Sequence, residues 1–233
     1  DLLARIYGPM ISKGKLTRMA DSLFPVGDTW EELYDNYSEA LHRAELSNLT
    51  FKPSKTLVGP KTSVLFGWKL SDGEWTPLEH VTSSLSRAEK PSTFKQLRSF
   101  MGAFKQLDEC IESYGDLLAP FEKVLASRAS AERICWTDPL VKAFDDLKKA
   151  AEDPAGIYVP HQEDRLITTS DYSTSTSSIG GALYIVRQEG GKERKLLGGH
   201  FSASLDKNQV RWLACECEAL AVKRVLLHFE PEI

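Results

Sequence analysis

The sequence predicts a mixed fold, α+β or α/β, laid out in three sections: 1–77, 78–153 and 154–233. Three observations carry this expectation. Runs of helical and strand period alternate in the first section. Helical signals dominate the second, punctuated by Pro91, Pro120 and Pro139. The third has three β-branched, glycine-bounded runs and then a helix with an apolar stripe. A content of 42% hydrophobic and 27% charged residues is that of globular material.

In chain order, residues 2–13 read as a helix that ends at Gly14. Residues 16–20 and 23–26 read as strands on either side of a polar Asp21-Ser22 turn, a hairpin with an acid at its tip. Thr29 is placed to cap a helix over 30–47, with Glu31 and Glu32 in the first turn where the helix dipole favours them. The turn Pro53-Ser54-Lys55 leads to a strand over 63–70, which Ser71-Asp72-Gly73 ends. The signals over 79–153 are mainly helical, and Asp153-Pro154-Ala155-Gly156 reads as a boundary. Strands follow over 165–170, 181–186 and 195–201, then a helix over 213–229. The Ser/Thr stretch 168–178 is explained by a solvated hairpin loop.

Charge narrows the binding surface. The net charge is −4, and no section is basic: −1 over 1–77, −2 over 78–153 and −1 over 154–233. Any nucleic-acid affinity must therefore come from a local patch. Within 91–107, Phe94, Leu97, Met101 and Phe104 recur at three and four, while Lys95, Arg98 and Lys105 form a neighbouring stripe around Gly102. Such a helix can bury one edge and lay the other along phosphates, with Gly102 permitting close approach. The bland alternative is a solvated face.

Asp171 stands at the end of the run Leu166, Ile167, Thr168, Thr169. On the helix over 213–229, Ala214, Ala221, Val225 and Phe229 share one face with Glu218 among them, while Glu216 and Lys223 point away. An ionised carboxylate against a core is costly unless a counter-charge receives it, so a facing acid and a divalent cation would resolve the conflict. Two other readings stay open: Glu218 snorkels from the rim of the stripe, and Asp171 hydrogen-bonds a turn.

Four cysteines, Cys110, Cys135, Cys215 and Cys217, contain no C-x-x-C, which argues for reduced thiols, against zinc and for an intracellular setting. There is no run of eighteen apolar residues and no charged-then-apolar leader, so neither a membrane partner nor a signal peptide is expected. A first residue that is Asp1 and not Met suggests a piece of something longer. His42, His80, His161, His200 and His228 sit in no nucleophile-and-base pattern, so nothing supports a hydrolase of another kind.

Several words, in order, resemble the polymerase-to-ribonuclease-H part of the Pol polyprotein of LTR retrotransposons of the gypsy and BEL/Pao kind. Arg18-Met19-Ala20-Asp21-Ser22-Leu23 falls where that family has its Y-x-D-D hairpin. Residues 49–56, with Pro53-Ser54-Lys55, fall on the stretch ending in its lysine, and Leu65-Phe66-Gly67-Trp68 resembles its F-L-G-H strand. The stretch 91–104 is similar to its P-x-T-x-x-x-L-R-S-F-x-G thumb helix, which Ala119-Pro120, Trp136-Thr137, Ala143-Phe144 and Leu147-Lys148 continue. Thr169-Ser170-Asp171 resembles the T-D-A-S opening of the ribonuclease H domain, Ile179-Gly180-Gly181-Ala182-Leu183 its I-G-A-V-L strand, and 216–221 its E-K-E-L-L-A helix.

The resemblance implies the last part of a polymerase palm (1–77), a helical thumb or connection (78–153), and the N-terminal half of a ribonuclease-H-like mixed sheet with a packed helix (154–233). It implies a parent that copies RNA into DNA and hydrolyses the RNA strand of RNA–DNA hybrids with two Mg2+ ions. Its partners would be nucleic acid and the rest of the polyprotein, in the cytoplasm, including virus-like particles, or in the nucleus. Asp171, Glu218 and Asp21 match metal-binding catalytic acids of that family, and Lys55 its palm lysine, an exposed turn lysine being the alternative. Ser22 replaces the second hairpin acid and Met19 the aromatic residue, and further carboxylates of both sites are missing, so the chain by itself is expected to be inactive. The competing class is a non-catalytic nucleic-acid-binding or scaffold protein from a decayed retroelement.

Overall fold

A computed structural model describes residues 1–125 and 133–233. Contacts divide the chain into two compact units, 1–60 and 61–233. The expected section boundary at 77 is not where the chain parts. A late strand returns to pair with residues 74–75 and so ties 61–77 into the second unit.

In the first unit, helix α1 (Leu2–Ile11) is capped by the Asp1 carboxylate, which accepts the Leu3 N–H. Strands β1 (Leu16–Met19) and β2 (Ser22–Pro25) form the expected hairpin. Its turn lies one residue earlier than expected: Met19 pairs with Ser22, leaving Ala20, at φ 52°, and Asp21 as the two loop residues. Helix α2 (Trp30–Leu46) starts at Thr29, whose hydroxyl accepts the Glu32 N–H. Tyr7, Met10, Leu16 and Ala40 are the buried centre between these elements. The Tyr7 hydroxyl donates to the Ala40 carbonyl at 3.3 Å, and the buried Asn36 amide donates to the Val26 carbonyl at 2.7 Å, so α1 and the chain leaving β2 are both tied to α2 by polar groups as well as by packing.

The second unit begins with a difference from expectation. The single strand over 63–70 is a hairpin, β3 (Thr62–Leu65) and β4 (Trp68–Ser71), because Phe66 and Gly67 both take positive φ, 52° and 88°, and reverse the chain. Asp72 and Gly73, at φ 52° and 76°, make a second such reversal into β5 (Glu74–Pro77). Strand β6 (Ile157–Tyr158) completes this four-stranded antiparallel sheet from the other side of the helical region.

That region comprises α3 (Glu79–Ser86), α4 (Phe94–Phe104), a 3-10 turn over Lys105–Cys110, α5 (Tyr114–Leu125) and α6 (Asp138–Ala150). The helical character expected of 126–132 lies outside the described residues. Phe94, Leu97, Phe104, Phe121, Phe144 and Leu147 fill the core they share. At about 1.5–3 kcal/mol for each large apolar side chain removed from water, this cluster dominates the unit's stability.

The last part is an antiparallel sheet, β7 (Arg165–Ser173), β8 (Ser178–Glu189) and β9 (Lys192–Ser204), with α7 (Ala214–His228) on one face. All three strands run longer than expected. Much of the Ser/Thr stretch read as a solvated loop is paired strand, with Ser178 buried inside it.

Candidate functional site

Strand β7 decides which side chains can meet. Successive residues point to opposite faces of a sheet. Cross-strand pairing puts Ser170, Gly181 and Phe201 in one row and Asp171, Gly180 and Ser202 in the next. Helix α7 covers the first of these faces. A Cβ on Gly181 would lie 2.5 Å from Val225 Cγ2, Leu183 packs with Val225 and Phe229, and the Tyr172 phenol is pushed up by burial and by the Cys217 thiol beside it.

Asp171 belongs to the opposite face, which the start of α5 partly covers. There the Gly115 N–H donates to Ser202 Oγ at 2.5 Å, and the Ser178 hydroxyl donates to Asp116 Oδ1 at 2.5 Å. Between them lies a cleft of about 210 Å³, into which Asp171, Glu112, Asp116 and His200 are brought together. Burial pulls the His200 pKa down, and the Glu112 carboxylate opposes part of that shift. Ser202 Oγ accepts the Gly115 N–H, and among the described residues no hydroxyl lining the cleft is hydrogen-bonded to an imidazole.

The two acids on which the metal reading rests are therefore separated by the sheet. Glu218 rides on α7, and the residue of β7 that faces α7 beside Gly181 is Ser170. Glu218 is also not against the core. The buried stripe is Cys217, Ala221, Val225 and Phe229, and each four-residue step turns it by about 40°. At the level of Cys217 and Ala221, Glu218 is left well to the side and exposed. The conflict that called for a cation does not arise.

Asp21, in the first unit, is exposed at the hairpin tip. RNase H-like domains generally use divalent metals, but among the described residues no three His, Cys, Asp or Glu side chains are grouped to hold one. Asp171 and Glu218, on opposite faces of the sheet, do not fit one two-cation centre, and no chemical step is routed through one. The cysteines are all free thiols, and burial pushes that of Cys110 up to about 12.

The basic stripe forms as expected, with one exchange. Thr93 caps α4 in a reciprocal capping box with Gln96. The buried side is Phe94, Leu97, Phe100 and Phe104, so Phe100 takes the place expected of Met101, its ring 5.1 Å from Phe144. Lys95, Arg98 and Lys105 are exposed, and nothing lies within 4 Å of where a Cβ on Gly102 would be. Lys55 ends a 3-10 turn, Pro53–Lys55, in the first unit and is exposed.

Glu112, Asp116, His200 and Ser202 carried no signal of a site. They become neighbours of Asp171 only through the register of β7 to β9 and the seating of α5, which no local pattern encodes. The alternation of β7 is legible in its sequence as far as Ser170, but the pairing that carries it on through Ser173 is not.

Residues 136–233 match the RNase H-like domain found in reverse transcriptase. This part of the chain is an RNase H-like region, similar to those of Pol polyproteins. The match begins in front of α6, so the RNase H-like region takes in that helix and β6 along with the three-stranded sheet. Transposon Tf2-3 and Tf2-4 polyproteins of Schizosaccharomyces pombe are 21% identical to the chain over 191 residues, which is 82% of it and 14% of each of them. The chain thus spans about a seventh of the length of these relatives. Among solved structures, a foamy viral protease-reverse transcriptase in complex with double-stranded DNA superimposes with a TM-score of 0.76 at 11% identity, covering 98% of this chain and 39% of that one. A foamy viral protease-reverse transcriptase with an RNA/DNA hybrid gives 0.74 at 12% identity, covering 97% and 30%. At these identities the likeness shows a shared fold. Over 136–233 the likeness is to the RNase H-like domain of retroelement polyproteins, and the scaffold alternative is not favoured.

Proposed function

We propose that this chain grips a nucleic-acid duplex, an RNA–DNA hybrid in the first place, within a larger Pol protein that copies RNA into DNA and degrades the RNA strand. In that reading the first unit belongs to a palm, α3 to α5 to a thumb or connection, and 136–233 to the RNase H-like region. In this reading catalysis belongs to the whole protein, and this segment contributes binding.

The observation that carries the proposal is α4. Residues 91–107 contain three cations and no acid in a chain of net charge −4. The helix turns its apolar side inward and presents Lys95, Arg98 and Lys105 around a glycine with open space above it. Phosphates attract such a face, and a glycine lets a backbone come close. The foamy viral neighbours, solved in complex with double-stranded DNA and with an RNA/DNA hybrid, share this fold and support the choice of ligand.

Anisotropy of a labelled RNA–DNA hybrid, titrated with the chain at several salt concentrations, tests the reading. Each phosphate contact contributes roughly 0.9 to the slope of log affinity against log salt, so replacing Lys95, Arg98 and Lys105 together by Gln should lower it by about 2 to 3. An unchanged slope removes α4 from the interface.

A further inference from the structure

Helix α2 displays two large aromatic rings to solvent. Trp30 is 69% and Tyr34 70% exposed. They stand one helical turn apart and about 40° apart around the axis. Glu31 and Asp35 each follow a ring by one residue, and the four side chains line one shallow pocket. Among the described residues no cation meets either carboxylate: Lys15 and Arg43 go to Glu39, and Glu32 accepts the Asp28 N–H at 3.0 Å. The helix dipole accounts for Glu31 in the first turn, but not for Asp35 or for the rings. Trp30 is braced all the same. Gly59, at φ 52°, lies so close to the far edge of the indole that a Cβ there would overlap it.

We propose that Trp30, Glu31, Tyr34 and Asp35 form a docking site for an arginine side chain on a basic segment of a partner polypeptide. A guanidinium stacks on an indole or phenol face and forks to a carboxylate with paired N–H groups, which uses both chemistries of the pocket at once. A lysine ammonium is a point charge without the fork. A phosphate backbone is repelled by the two acids, so this surface selects protein and not nucleic acid. A purely aliphatic partner would strip water from the carboxylates and return nothing to them.

The test follows the Trp30 indole N–H of the whole chain by NMR, its resonance identified from Trp30→Phe. The probes are a short acetylated, amidated peptide of alternating arginine and glycine, its lysine counterpart, and a single-stranded oligonucleotide. The arginine peptide should shift the Trp30 signal saturably and bind several times more tightly than the lysine peptide. Tyr34→Ala, and the pair Glu31→Gln with Asp35→Asn, should each weaken it about tenfold. The charge-matched pair Glu152→Gln with Asp153→Asn, at exposed positions in the second unit, should change nothing. All these positions are exposed, and far-UV circular dichroism verifies that each variant folds. Equal binding by the wild type and both pocket variants would overturn the proposal, as would an oligonucleotide that shifts the same indole.

Discussion

Arg187 and Asp164 show how one ion pair can hold a connection in place. Their side chains are 10% and 3% exposed, and the Arg187 guanidinium donates to Asp164 at 2.7 Å and to the Val159 carbonyl at 3.0 Å. Asp164 also accepts the His161 N–H at 2.8 Å, so the 159–164 connection is fixed onto β8. Hydrogen bonds from Arg187 hold the Asp164 carboxyl below the usual carboxylate range. A carboxyl whose pKa is depressed by folding adds stability that is complete above its unfolded value of about 3.9 and is lost as pH falls through the folded value. Asp164→Asn should therefore cost about 2 kcal/mol at pH 7, and its deficit against the wild type should shrink below about pH 4. Urea unfolding at pH 7 and pH 3 measures both. Nothing in the sequence announces this pair, since its members lie on different segments and acquire their meaning only from the fold. Lys95 and Lys105, by contrast, were readable from helical spacing alone, because a helix face is a local property.

Among the elements, β7 departs furthest from expectation in its consequences. Its existence was legible in the β-branched run before Asp171, but its end was not, since serine and threonine suit loops as well as strands. Reading the strand as finished before Asp171 left that side chain free to point anywhere; pairing through Ser173 assigns it a face. Adjacent glycines of β8 test the assignment. At Gly181 an added Cβ would overlap the Thr169 carbonyl and crowd Val225 of α7, whereas at Gly180 the nearest atom, the Phe201 carbonyl oxygen, is 3.4 Å away. Gly181→Ala should cost about 1–3 kcal/mol, while Gly180→Ala should lie within about 1 kcal/mol of the wild type. Thermal melts of the two variants compare them directly, and equal losses would mean that α7 does not sit on the Gly181 face. The 63–70 segment erred in the same way. Phe66 gives no turn signal, and only the pairing of Leu65 with Trp68 shows that the chain doubles back there.

At the scale of the whole molecule, the three sections suggested by composition meet a division that follows sheet pairing. The Pro-Gly boundary after Asp153 is real as a break in local pattern, yet β6 beyond it closes a sheet begun at Thr62. A fragment of residues 61–233 should keep cooperative unfolding by circular dichroism, because it retains all of β3 to β6. A fragment starting at 78 loses three of those four strands and should melt broadly or aggregate. Comparable melts from both would return the boundary to residue 77. The same late strand has a bearing on biosynthesis. Roughly eighty residues separate Pro77 from Ile157, and ribosomes add about 5–20 residues per second. The nascent β5 edge therefore waits on the order of 4–16 s for its neighbour to be made, an interval during translation when a chaperone or a strand from another chain could reach it first.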